Sequence, residues 1–141
     1  MALPTDIRIT KVEAATLVGD RPRVVGRNSR RGVHGGQLRD RVLKVSTDAG
    51  SYGWGWSIAD EDDARRLVGK SLTDVFDAAD GTVDDFINFD FPLWDLGGQV
   101  LGQSVHAMLG DGGSQPVPLY DGSIYIDELD PDTGRDDGVQ P

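Results

Sequence analysis

Strand-forming and helix-forming segments are segregated along this chain. Residues 7–18, IRITKVEAATLV, are rich in β-branched residues and predict a strand. Residues 40–58, DRVLKVSTDAGSYGWGWSI, predict a β-hairpin, because Asp48 and Gly50 in the TDAGS turn tolerate unusual backbone angles. The helical patterns all come later, between 60 and 110. Such a separation of strands from helices predicts an α+β fold.

Three helical patterns follow the hairpin. Residues 60–70 carry acids in the first turn and arginines in the last, which suits the dipole of a helix at both ends. A second helix is predicted to begin at Ser71, in a capping-box-like SLTD sequence. Residues 90–110 have an apolar helical face; we expect Gly102 to break this helix and Ser104 to cap a short one after it.

The composition excludes several functional classes. The chain has no cysteine, so disulfides and thiolate metal sites are excluded, and we expect a cytoplasmic protein. A formal net charge of -10 argues against nucleic-acid binding, which depends mainly on neutralising phosphates. No apolar run is long enough to span a membrane, and the first residues do not form a secretory signal, so no membrane partner is expected.

The last apolar segment, VPLYDGSIYI at 117–126, predicts a buried strand that follows the helices and has no predicted partner. We therefore divide the chain into residues 1–112, a domain of strands and helices, and residues 113–141, a lone strand with an acidic tail. An unpaired strand edge recruits partners, so we expect the chain to self-associate as a homo-oligomer through 117–126.

Five stretches together resemble a known family. The chain resembles the N-terminal capping domain of the enolase superfamily, in its mandelate racemase and muconate lactonizing enzyme branch. The resemblance implies a three-stranded antiparallel meander followed by a helical bundle, packed over a TIM barrel of which 117–126 would be the first, orphan strand and the rest is missing. The stretches are IRITKVEA, NSRRGVHG, DRVLKVSTDAGSYGWG, FPLWDLGGQVLGQSVHAMLG and VPLYDGS.

The resemblance also implies a chemistry that this chain cannot perform alone. Family members use a Lys or His base and acidic Mg²⁺ ligands to remove a proton next to a carboxylate. Those groups lie on later barrel strands, so we assign no catalytic residue and no metal ligand here. The expected parent is an acid-sugar dehydratase or racemase that acts on a small carboxylate or acid sugar and requires Mg²⁺, with the missing barrel domain as the partner of this chain.

In the family, two loops of the capping domain close over the barrel mouth, and the first resembles residues 19–37. Within it, Asn28 and Ser29 are predicted to bind substrate hydroxyls. Arg30 is predicted to bind an anionic or polar group, although an arginine that only solvates the loop is the alternative. His34 is predicted to line the pocket, and a structural histidine is as good an interpretation.

The second loop resembles residues 54–60. Trp54 and Trp56 alternate with glycines and share one face of a strand. We expect Trp56 to line the substrate pocket, although many family members carry an acidic residue near its position, and we expect Trp54 to pack into the core. Trp94 is assigned to packing and His106 to an exposed or capping position.

Residues 130–138, DPDTGRDDG, have alternating aspartates similar to those of a calcium loop. They fail the EF-hand pattern, because Arg135 stands where glycine is required and no bidentate Glu follows, so an acidic surface loop is favoured.

A second interpretation of the whole chain is a stand-alone module that binds a small molecule or a protein. In that case the arginine-rich loop and the tryptophans would serve a ligand without any barrel.

Overall fold

The structure is a computed structural model that describes residues 2–21, 26–28, 30, 32–110, 116 and 118. Its main sheet is antiparallel, with the strands in the spatial order Ile9–Asp20, Gln37–Thr47, Tyr52–Trp56. The predicted strand at 117–126 and the acidic loop at 130–138 lie outside the described residues. The strands are β1 (Ile9–Asp20), β2 (Gly26–Asn28), β3 (Gly32–His34), β4 (Gln37–Thr47), β5 (Tyr52–Trp56), β6 (Phe76–Asp77) and β7 (Gly81–Thr82).

Helices occupy most of the chain after β5. They are α1 (Glu61–Leu67), α2 (Leu72–Val75), a 3-10 helix (Asp84–Phe89), α3 (Asp90–Leu101) and α4 (Val105–Leu109). A three-stranded antiparallel sheet followed by helices confirms the predicted α+β class.

The predicted hairpin is confirmed in both its arms and its turn. β4 pairs with β5 in the register Val42↔Trp56 to Ser46↔Tyr52. In the turn, Gly50 adopts a φ of 81°, a left-handed conformation that glycine reaches without steric cost.

Two of the three predicted helix starts are confirmed in detail. The Asp60 side chain accepts a hydrogen bond from the Asp63 backbone N–H and the Asp63 side chain accepts one from the Asp60 N–H, which is a reciprocal capping box. At α4, Ser104 Oγ accepts from the Ala107 N–H. Ser71 stands at the N-cap of α2, but the prediction of a side-chain cap there is wrong, since its hydroxyl instead donates to the Thr5 carbonyl at 3.1 Å.

The hydrophobic core lies between the inner face of the sheet and the helices. Each side chain fully removed from water there contributes about 1.5–3 kcal/mol of transfer free energy. Trp94 is confirmed as a packing residue, with its ring edge-on to Phe76 at a centroid distance of 5.0 Å. The fully buried large side chains include Ile9, Leu43, Val45, Leu67, Leu72, Val75, Phe76, Phe89, Leu93 and Leu96.

Helix α3 lies directly on β5, and two glycines make that contact possible. A Cβ added at Gly53 would lie 2.3 Å from both the Leu96 nitrogen and the Pro92 carbonyl oxygen. One added at Gly55 would lie 2.7 Å from the Cβ of Phe91. The GWGW sequence therefore presents its glycines to the helix and its tryptophans to the opposite face of the sheet.

Candidate functional site

A two-stranded ribbon extends from the main sheet beyond β5. β1 and β4 stay paired as far as Asp20↔Gln37, whereas the pairing of β4 with β5 ends at Val42↔Trp56. β2 and β3 pair with each other between the two ribbon strands in sequence. Of the residues described between 19 and 37 (19–21, 26–28, 30 and 32–37), most are therefore strand, whereas an irregular loop was expected. Strands of three residues are too short for their alternation to be recognised in a sequence.

Three of the predicted substrate-binding residues lie on the β2–β3 hairpin. Asn28 ends β2 opposite Gly32, His34 ends β3 opposite Gly26, and Arg30 lies in the connection and is exposed. Ser29 lies outside the described residues. The backbone therefore brings these positions together within nine residues.

The two tryptophans of β5 lie side by side on its solvent face. Trp54 is 57% exposed and Trp56 59% exposed. The expectation that Trp54 packs into the core is wrong, because the core side of β5 is filled by α3 against the glycines. β5 is the edge strand of the sheet, and the Trp54 backbone N–H on that open edge donates to Asp95 Oδ2 at 2.9 Å. That bond satisfies one of the donors with which an edge strand recruits another strand.

The segment after Trp56 is fixed at its base by side-chain hydrogen bonds. Ser57 Oγ donates to the Asn88 carbonyl at 2.5 Å and accepts from the Ala59 N–H at 3.1 Å. Asn88 Nδ2 in turn donates to Asp63 Oδ2 at 2.9 Å, and this bond, followed by the one from the Asp60 backbone, lowers the pKa of the Asp63 carboxyl. The second expected loop is therefore held to the 3-10 helix and to α1.

Two adjoining apolar pockets, which share Asp90 and Phe91, lie along the open edge of β5 beside Trp54 and Trp56. We call the two together the edge groove. The sequence analysis missed it, although the sequence contained a signal. Phe91 and Leu93 are two residues apart on one helix and so point to nearly opposite sides; since Leu93 faces the core, Phe91 must face outward. Its lining is formed by Trp54, Trp56, Ile58, Ile87, Phe91, Trp94, Val105 and Leu109, with Asp90 and Asp95 among them.

The described residues do not offer a metal site. Within 2–21, 26–28, 30, 32–110, 116 and 118, no three His, Asp or Glu side chains are grouped so that they could hold a metal ion. His106 is exposed, as expected. Within the same ranges no helix is both long enough and apolar enough to cross a membrane.

Comparison with known proteins gives similar solved structures. No protein-family model and no curated protein matches the chain. A mutant of galacturonate dehydratase from Geobacillus sp., complexed with Mg, is 32% identical with a TM-score of 0.73. A mandelate racemase/muconate lactonizing protein from Geobacillus sp., complexed with magnesium/tartrate, is also 32% identical with a TM-score of 0.74. Each match covers 90% of this chain and 34% of the other, so the chain spans about a third of the length of these proteins.

A third structure extends the comparison to a substrate. It is galacturonate dehydratase from Geobacillus sp. complexed with D-galacturonate and 5-keto-4-deoxy-D-galacturonate. This chain is 30% identical to it with a TM-score of 0.66, over 75% of this chain and 29% of the other.

Proposed function

Because this chain has the enolase-superfamily fold of the mandelate racemase and muconate lactonizing enzyme branch over 90% of its length, we propose that it is the substrate-capping part of such an enzyme. Residues 1–112 form the cap in this proposal, and residues 113–141 begin the barrel. The observation that carries the proposal is the match itself, at 32% identity over nearly the whole chain but only 34% of its neighbours. The remaining two-thirds of the neighbours would correspond to the barrel.

The proposed parent reaction is Mg²⁺-dependent removal of a proton next to a carboxylate, in an acid-sugar dehydratase or racemase. Two neighbours contain Mg, and one contains D-galacturonate, which supports both the metal and the substrate class. The described residues offer no ligand set for Mg²⁺, so the proposal assigns the metal and the base to the barrel. This chain would be non-catalytic alone, and its lack of cysteine supports a cytosolic parent.

The role of this chain would be to select the substrate and exclude water. In this proposal, the end of the substrate that lies away from the metal and the base is bound by the cap. The residues that bind it are Asn28, Ser29, Arg30 and His34 of the hairpin, and Trp56. The ribbon supports this role, because it carries the hairpin away from the core on two paired strands. The Ser57–Asn88 hydrogen bond supports it as well, because it anchors the segment directly after Trp56.

A chimeric enzyme tests the proposal. In galacturonate dehydratase from Geobacillus sp., the third that matches this chain is replaced by it, and kcat and KM for D-galacturonate are measured with Mg²⁺. We expect Mg²⁺-dependent turnover by the chimera and none by residues 1–141 alone. Turnover by the purified chain alone, lost on mutating that chain, would contradict the capping role.

The same chimera tests the substrate contact. Trp56→Ala should raise KM by between about fivefold and about 150-fold, the change expected when about 1–3 kcal/mol of stacking or packing is removed. Tyr52→Ala is the matched control, because Tyr52 is an exposed aromatic on the same face at the far end of β5. Equal effects of the two changes would remove Trp56 from the site.

A stand-alone binding module is the second candidate. The exposure of Trp54 and Trp56 favours it, since aromatic side chains at a surface often bind ligands. Calorimetric titration of the purified chain with D-galacturonate separates the candidates, because a module binds the sugar acid without a barrel and a cap requires the barrel.

A further inference from the structure

The segment directly after β5 keeps an alternating pattern of burial, although the strand itself ends at Trp56. Ser57 and Ala59 are buried, at 5% and 0% exposure, whereas Ile58 between them is 79% exposed. Trp56 is exposed as well, so two large apolar side chains project on either side of a buried serine. Packing of the domain's own core does not account for this arrangement, which suits a contact with something outside the domain.

A single buried hydroxyl anchors the backbone on both sides of Ile58. The Ser57 hydroxyl donates to the Asn88 carbonyl at 2.5 Å and accepts from the Ala59 N–H at 3.1 Å. The Ser57 N–H donates to the Arg41 carbonyl at 3.2 Å, so the segment is also tied to β4. A displacement of the backbone at Ile58 would break at least one of these bonds.

Asn88 is itself held in place by α1 and by the core. Its side-chain Nδ2 donates to Asp63 Oδ2 at 2.9 Å, and the same oxygen accepts from the Asp60 N–H at 3.2 Å. Phe89, which follows Asn88 in the 3-10 helix, is 1% exposed. The carbonyl that accepts from the Ser57 hydroxyl is therefore fixed from two directions.

Ser71 makes a similar bond in a different setting. Its hydroxyl donates to the Thr5 carbonyl at 3.1 Å, and the residue is buried. Its neighbours are Lys70, which is exposed, and Leu72, which is fully buried. Neither neighbour is an exposed apolar residue, so Ser71 is a reference for the stabilising effect that such a bond has by itself.

Anchoring of the backbone at Ile58 also affects how well the segment can bind. A surface that is ordered before a ligand arrives loses less conformational entropy on binding. Isoleucine is branched at Cβ, which restricts its χ1 angle, so a fixed backbone leaves its side chain few directions. Ile58 is therefore an exposed apolar side chain that is prepared for a contact.

From this network we infer that Ser57 and Asn88 are positioning residues for substrate binding, which fix the backbone of 57–59 so that Ile58 joins Trp56 against the substrate end bound by the cap. The inference rests on the proposed function, which assigns Trp56 to that end. Neither positioning residue touches the substrate, since Ser57 acts through the backbone at Ile58 and Asn88 acts through Ser57. Hydrogen bonds of this supporting kind are what hold contacting side chains in a binding geometry.

Amide hydrogen exchange in the full 141-residue chain tests the anchor without any substrate. Ser57→Ala should speed exchange at the Ala59 N–H by about tenfold or more, and by more than at Val45 in the sheet, because the local acceptor is lost. Asn88→Ala should speed it in the same direction by a smaller factor. Equal changes at Ala59 and Val45 in both variants would overturn the inference.

Kinetics of the chimera with D-galacturonate and Mg²⁺ test the effect on binding. Ser57→Ala should raise KM by about threefold to tenfold, the effect of losing a typical hydrogen bond, and should leave kcat within about twofold. Asn88→Ala should raise KM as well. Adding Ser57→Ala to Ile58→Ala should raise KM by less than about twofold further, because Ser57 acts through Ile58. Fully additive effects would refute that route.

Ser71→Ala is the matched control. It removes a buried hydroxyl with a carbonyl partner outside the segment, so it should lower stability without changing KM. Equal rises of KM in Ser57→Ala and Ser71→Ala would overturn the inference, and so would a native KM in both Ser57→Ala and Asn88→Ala. Those results presuppose a chimera that is active with the native cap. A native chimera without Mg²⁺-dependent turnover would instead refute the proposed function, and the inference with it.

Discussion

Replacing Gly53 by alanine should be among the most damaging single-methyl changes in this chain. The new Cβ would lie 2.3 Å from the Leu96 nitrogen and from the Pro92 carbonyl oxygen, both of them backbone atoms of α3. Ordinary contact requires about 3.5 Å, so the helix must retreat by about 1 Å. No side-chain rotation can relieve the clash, and the retreat loosens Leu93 and Leu96 against the sheet. We therefore expect the free energy of unfolding to fall by about 3 kcal/mol or more, the upper end of the costs measured for overpacking.

Urea unfolding at fixed protein concentration, followed by far-UV circular dichroism, measures this loss as a shift in midpoint. In a thermal scan the same loss lowers Tm by about 10 °C for a domain of this size. Gly19→Ala is the matched control, because no atom lies within 4 Å of its added Cβ. It should change stability by less than about 1 kcal/mol. Equal stability of the two variants would refute the direct contact of α3 with β5.

Three further changes follow from the described contacts. Asp60→Ala removes the α1 capping box and should cost about 1 kcal/mol in urea unfolding, whereas Asp62→Ala, in the first turn of the same helix, should cost clearly less. Leu96→Ala should cost about 2–5 kcal/mol in the same assay, because the side chain is fully buried; a loss below about 1 kcal/mol would contradict that burial. Asn88→Ala should raise the pKa of Asp63 in an NMR titration, and no change would contradict the hydrogen bond.

The sign of the last effect fixes its pH dependence. The folded-state pKa of Asp63 is depressed, so its contribution to stability is complete above the ordinary aspartate value and is lost as the pH falls through the folded-state pKa. Acid unfolding of the native chain should therefore be steeper than that of Asp63→Asn. At neutral pH the difference between the two chains should be constant.

The sequence predicted the elements that local chemistry determines. The turn at Gly50, the helix within 60–70 with its acidic first turn and basic last turn, and the break at Gly102 each depend on a few neighbouring residues, and all three are confirmed. Pattern over a long segment also predicted the strand–helix order, and the family resemblance is confirmed by the structural neighbours.

Features decided by tertiary contacts escaped the sequence analysis. Trp54 was expected in the core because aromatic side chains are usually buried, but Gly53 and Gly55 admit α3 so closely that no ring fits on that side. Ser71 was expected to cap α2, but the distant Thr5 carbonyl competes for its hydroxyl. The alternation of glycine with tryptophan did contain the signal, since glycine in a strand often marks a close backbone approach.

The predicted substrate-binding residues stay predictions. The structure brings Asn28, Arg30 and His34 onto one short hairpin and exposes Trp56, but a pocket requires the surface that faces them. In the proposed parent that surface belongs to the barrel. A sequence that specifies one side of a site cannot specify its volume or its charge.

The most direct test of the capping role is the DNA sequence beyond codon 141 in the source genome. The account predicts that the reading frame continues for about 250 residues, the length of a TIM barrel. It also predicts acidic residues and a lysine or histidine at the ends of successive strands, where a metal and a base are required. A stop codon directly after Pro141, verified in the transcript, would contradict the account and favour a stand-alone binding module.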